Sequence, residues 1–216
     1  MIARAWHGLL AAAVLVGMVV QVVLVARLHA APHDVTAGVV AGATTPARYL
    51  RIVSFFTIQS NLLVGFTSAQ LALNPRHDGR IWRVVRLDGL VGIAVTGIVY
   101  STVLARMHEP KGWEQITTNT LFHYITPIAA VLGWLLFGPR PRISRTTVLA
   151  ALIWPAAWFG YTLVRGAVDH WYPYPFVDVA SHGYARVVLN AVLVTLVLGA
   201  VSAVFWLGDR RLREAP

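Results

Sequence analysis

The chain has no cysteine, and that absence removes disulfides, thiolate metal sites and cysteine nucleophiles together. Charge is scarce as well. Only 12% of the residues are charged, roughly half of the usual share of about 25% in soluble domains. There is no internal repeat relating the first half to the second, which argues against an inverted-repeat transporter. Nor is there a stretch left over for a soluble domain, because apolar runs fill the sequence.

What is present is hydrophobicity: 57% of 216 residues, with a mean hydropathy of +0.63. Six apolar runs can be marked, at about 5–28, 50–73, 84–105, 116–137, 147–167 and 184–207. Each is near the roughly 20 residues that carry a helix across a bilayer core. The reading is an all-α polytopic membrane protein, one six-helix transmembrane domain over residues 1–216. The first run is longer than a signal-peptide core and lacks a convincing cleavage site, so it is expected to be retained as a span.

The net charge of +9 could suggest nucleic acid, but the basic residues sit at the ends of apolar runs, where they orient helices. Of 18, eleven lie in the N-terminus, the second and fourth connections and the C-terminal tail, against seven on the other side. This predicts a plasma-membrane protein with both termini cytoplasmic and no nucleic-acid partner. Residues 30–47 read as a low-complexity outer loop, and GPRPR at 138–142 as a cytoplasmic turn.

Polar side chains recur at one depth. FFTIQSNLL, residues 55–63, places Thr57, Ser60 and Asn61 on one helical face and turns Gln59 elsewhere. In the fourth run, TTNTLFHYITP puts Asn119, His123 and Thr126 on one face, and Pro127 deprives the His123 carbonyl of its helical donor, predicting a kink. Both runs cross inward, so Thr57 and His123 are expected at similar depth, about 8 to 10 Å below the outer boundary for Thr57. The fifth run carries Trp154, Trp158, Tyr161 and Arg165 as a stripe. The sixth repeats His182, Arg186 and Asn190 every four residues. Between them, RGAVDHWYPYPFVDVASHGY reads as a semi-rigid interfacial loop, with Asp178 placed to pair with Arg165 or Arg186.

A hydroxyl and a base suffice for nucleophilic acyl transfer, so Thr57 and His123 are the candidate catalytic pair. Asn119, Arg165, Arg186, Asn61 and Tyr161 are candidates for binding an oxyanion or substrate head group. The plainer alternative is that Ser60, Gln59 and Asn61 join helices, at about 1 kcal/mol each. Asp88, near the cytoplasmic end of its span, is expected to pair with an arginine. His29, His33 and Asp34 have two-ligand spacing but lack an evident third ligand, so no metal and no cofactor is predicted.

FFTIQSNLL, HYITPIAAVLGWLLFGPRPR, RGAVDHWYPYPFVDV and GYARVVLN together resemble the Pr6Pr family of six-transmembrane prokaryotic proteins, over about residues 49–207. That family is similar in turn to the androgen-induced and androgen-dependent TFPI-regulating threonine hydrolases, which cleave fatty acid esters of hydroxy fatty acids. The resemblance implies a threonine nucleophile in the second span, here Thr57, and a histidine in the fourth, here His123. It also implies a membrane lipid or fatty acyl ester as substrate. The competing expectation is a non-catalytic protein that binds or passes a small amphiphile through an outer-leaflet polar cavity.

Overall fold

The computed structural model describes residues 1–27, 43–107 and 109–212; the predicted 30–47 loop lies mostly outside them, as does the His29, His33 and Asp34 group. The described residues form helices and no strand: α1 (Ile2–Arg27), α2 (Thr45–Ser54), α3 (Phe56–Leu73), α4 (Arg80–Thr102), α5 (Gly112–Thr120), α6 (Thr126–Phe137), α7 (Arg145–Ala151), α8 (Ile153–Asp169) and α9 (Val179–Arg211). A π-helical turn, Leu121–Ile125, joins α5 to α6. Five stretches are long and apolar enough to cross a membrane, and α2 with α3 supplies a sixth when the bent pair is taken as one span. This is an all-α membrane protein.

The centre of the bundle is α4, the most buried of the spans. Leu87, Leu90 and Ile93 of α4 pack with Leu10 of α1, Val64 of α3, Trp134 of α6 and Leu198 of α9. Small residues on α4 set the spacing. A Cβ on Gly89 would lie 3.3 Å from the α3 backbone, and one on Gly92 would lie 2.7 Å from Ser60 Oγ. Close backbone approach through glycine is how helices associate where lipid offers no hydrophobic drive. The outward faces carry exposed apolar side chains such as Leu9, Val164, Val168, Leu196 and Val204, as a lipid-facing surface requires.

The second span was expected to be continuous from residue 50 to 73, and it is not. The chain bends by 71° between α2 and α3, where Phe55 takes an extended conformation (φ −69°, ψ 129°). A break in a span leaves backbone groups without intrahelical partners, and in lipid each must find another. Here side chains supply them. Gln59 Nε2 donates to the Val53 carbonyl at 2.9 Å, and Trp158 Nε1 donates to the Ser54 carbonyl at 2.8 Å. The Thr57 amide donates to the Tyr174 hydroxyl oxygen at 3.0 Å.

The fourth span also departs from a regular helix where Pro127 demanded it. The adjustment is the π turn, with the Thr126 amide donating to the Leu121 carbonyl. Such turns accommodate a missing intrahelical bond without breaking the span. In α9, Gly183 (φ 72°) interrupts the helix and separates its first turn from the rest. The turn 138–142 is tied to the end of α9, where buried Asp209 accepts from the amides of Arg142 (2.6 Å) and Ile143 (2.7 Å).

Candidate functional site

The aromatic stripe of α8 is what holds the broken span. Trp154 Nε1 donates to Gln59 Oε1 at 2.9 Å, and its ring stacks on Phe56 at 4.5 Å. One turn on, Trp158 takes the Ser54 carbonyl. Tyr161 and Ser54 share a hydroxyl hydrogen bond at 2.8 Å. Arg165, 8% exposed, then donates to Tyr161 (2.9 Å), the Leu50 carbonyl (3.2 Å), Ser54 Oγ and Asp169 (3.0 Å). Arg165 and Tyr161 therefore brace the α2–α3 hinge. Asp178, expected to pair with an arginine, instead caps α9 by accepting from the amides of Ala180 and Ser181. A carboxylate at the start of a helix meets four unpaired amides, which compete well with a mobile guanidinium.

Beside the hinge is a cavity of about 330 Å³, walled by α3, α4, α8, α9 and the YPYPF loop. Its lining is mostly apolar, with Phe56, Val95, Trp158 and Leu198 among the walls and Thr57, Thr96, Tyr174 and Asn190 as its polar residues. Thr57 is 7% exposed, and its hydroxyl lies 3.1 Å from that of Tyr174. The Tyr174 oxygen accepts the Thr57 amide proton, so its own O–H can be given to Thr57 Oγ1. Thr96 Oγ1 is buried and has no hydrogen-bond partner among the described residues.

His123 is elsewhere. Its ring stacks on Tyr100 at 4.0 Å, its Nδ1 lies 3.3 Å from the Asn119 carbonyl, and it is not among the residues lining the Thr57 cavity. Among the described residues no hydrogen bond joins Thr57 to His123. The link between their neighbourhoods is Asn61, fully buried, whose Nδ2 donates to the Thr57 carbonyl (2.9 Å) and to the Phe122 carbonyl (3.4 Å). Asn119 faces a separate open cavity with Tyr100, Tyr124, Arg106 and Lys111. Arg186 is exposed and lines a further cavity with His182 and Asn190. Asn190 and Phe176 border both that cavity and the Thr57 cavity, so the two adjoin.

The sequence-predicted residues thus divide. Thr57 lines the cavity between α3, α4, α8 and α9, Tyr161, Arg165 and Asn61 hold helices, and His123 with Asn119 and Arg186 stand elsewhere. Sequence reasoning missed Thr96 and the role of Tyr174. The YPYPF motif carried the signal for Tyr174, whereas a threonine within an apolar helix gives none for Thr96. No protein-family model, curated protein or solved structure matches this chain.

Proposed function

We propose that this integral membrane protein binds a small amphiphile in the cavity between α3, α4, α8 and α9, and that it is a Pr6Pr-like protein of the plasma membrane with both termini cytoplasmic. One observation carries the reading. An apolar cavity inside the bundle carries a hydroxyl pair at one wall, Thr57 with Tyr174. Apolar pockets with a few convergent polar groups are the usual form of a small-molecule site, the apolar walls taking a chain and the polar atoms orienting an ester, alcohol or acid. A photoactivatable acyl probe tests it. Crosslinking to cavity peptides in the wild type should fall sharply in Thr96→Phe, which fills the space; equal crosslinking in both sinks the assignment.

A second reading, intramembrane hydrolysis of a lipid or fatty acyl ester, is favoured by the Thr57 hydroxyl at the cavity wall and by the family resemblance. In that reaction Thr57 Oγ1 adds to the ester carbonyl while His123 takes its proton and later delivers it to the leaving alcohol; water then releases the acyl group. The hydroxyl is bonded to Tyr174 and the imidazole to its own helix, so this chemistry requires the two to be brought together. A fluorophosphonate probe decides it. Labelling lost in both Thr57→Ala and His123→Ala supports the hydrolase, and labelling unchanged in both leaves the binding function alone.

A further inference from the structure

An open cavity of about 640 Å³ lies between the end of α4 and the start of α5, and it shares no lining residue with the Thr57 cavity. Its size falls in the range of about 300–1,000 Å³ that small-molecule sites occupy. Six of its nine lining residues are polar or charged: Tyr100, Arg106, Glu109, Lys111, Asn119 and Tyr124. Asn119 and Tyr124 are five positions apart, a spacing that a regular α-helix turns to different faces. The π turn Leu121–Ile125 carries one extra residue, and both side chains line the cavity. Tyr100, 4% exposed, is fixed behind them, stacked on His123 at 4.0 Å and edge-on to Tyr124 at 5.5 Å.

The lining offers both signs of chemistry. Arg106 and Lys111 are exposed, and among the described residues their side chains have no hydrogen bond or ion pair. The neighbouring acid on α5, Glu114, is engaged by Arg27 at 3.9 Å. On the acceptor side, Glu109 is exposed, and the Asn119 Oδ1 is buried with no hydrogen-bond partner among the described residues. A buried acceptor without a donor costs stability until something donates to it. Two cations against one carboxylate leave one positive charge in excess.

The cavity also stands where a span meets its connection. Trp113 is 61% exposed and Tyr124 40% exposed, the aromatic pattern of a membrane interface. Exposed Ile125 and Ile128 continue from Tyr124 along the span, and Ile128 shares its helical face.

We propose that this cavity seats the head group of a glycerophospholipid that carries one net negative charge and free hydroxyls, as phosphatidylglycerol does. The phosphodiester lies between Arg106 and Lys111, the pairing that basic pockets at span ends give to lipid phosphates. The head-group hydroxyls donate to Glu109 and to the Asn119 Oδ1, and an acyl chain runs over Ile125 and Ile128. Charge selects the class. A singly anionic head cancels the one excess cation, whereas a choline head leaves it and brings no hydroxyl to donate. The site stands apart from the amphiphile cavity and does not depend on what that cavity binds.

Native mass spectrometry of the full chain in detergent, titrated with phosphatidylglycerol or with phosphatidylcholine of equal chain length, tests it. One phosphatidylglycerol per chain should bind about tenfold or more tightly than phosphatidylcholine, and Arg106→Gln and Lys111→Gln should each weaken it about fivefold. Both substitutions fall at exposed positions and should leave phosphatidylcholine binding unchanged. Thr96→Phe, which fills the other cavity, should keep the preference, so a failure here and a failure of amphiphile binding are read separately. Equal binding of the two lipids, or a preference that survives in the Arg106→Gln, Lys111→Gln double variant, would overturn the proposal. Displacement of the lipid by soluble glycerol phosphate at equal concentration would overturn it too, by showing a site for a free phosphate ester.

Discussion

The phenol oxygen of Tyr174 lies 3.0 Å from the Thr57 amide nitrogen and 3.1 Å from the Thr57 hydroxyl, so a loop side chain completes the first turn of a helix that starts inside a span. Phe55, which precedes that helix, has no side-chain cap to offer. Tyr174 performs the capping from 117 residues away.

Tyr174→Phe keeps the ring packing against Phe55 and Phe176 and removes only the oxygen. The Thr57 amide is then left unpaired in an apolar setting, a loss of about 1–3 kcal/mol. Melting by tryptophan fluorescence in detergent should show the lower midpoint, and an unchanged midpoint would mean the bond contributes nothing.

Arg165 and Arg186 look alike in sequence and should differ in consequence. Arg165→Met strips donors from Leu50, Ser54 and Tyr161 together, and a loss of about 2 kcal/mol or more is expected. Arg165→Lys should recover only part, because an ammonium cannot span the same acceptors as a planar fork. Arg186→Met, at an exposed position, should stay within about 0.5 kcal/mol of wild type. Parallel melts of the three variants give the ranking.

Glycine on α4 makes a paired prediction. An alanine Cβ at Gly92 would lie 2.7 Å from Ser60 Oγ and 2.9 Å from the Trp154 ring, so Gly92→Ala should destabilise by about 1–3 kcal/mol through overpacking. Gly199 meets nothing within 4 Å. Gly199→Ala should instead stabilise α9 by up to about 1 kcal/mol. The opposite signs are read in the same melt.

Asp78, in the connection after α3, accepts from Arg83 at 2.7 and 2.6 Å. That hydrogen bonding holds its carboxyl well below the usual 3.8, at about 2. Because the folded value lies below the unfolded one, the stabilisation is present above the ordinary carboxylate range and disappears as pH falls through about 2. The midpoint difference between wild type and Asp78→Asn should be positive near neutrality and close toward the acid limit. A difference independent of pH would assign the effect to packing.

The sequence by itself determined the class of protein, since apolar runs of bilayer length are a local property. It also separated Gln59 from Thr57 and Asn61, because helical spacing alone fixes which neighbours share a face. Pro127 announced the irregularity that became a π turn. Tertiary structure decided the rest. Equal depth along two helices does not fix rotation about their axes, so Thr57 met Tyr174 while His123 met Tyr100. The break at Phe55 was not legible either. No proline or glycine marks it, and it persists because Gln59, Trp158, Arg165 and Tyr174, three of them distant in sequence, satisfy or brace the backbone it opens. In lipid a spanning segment can leave the helix only where other side chains stand in for its lost hydrogen bonds.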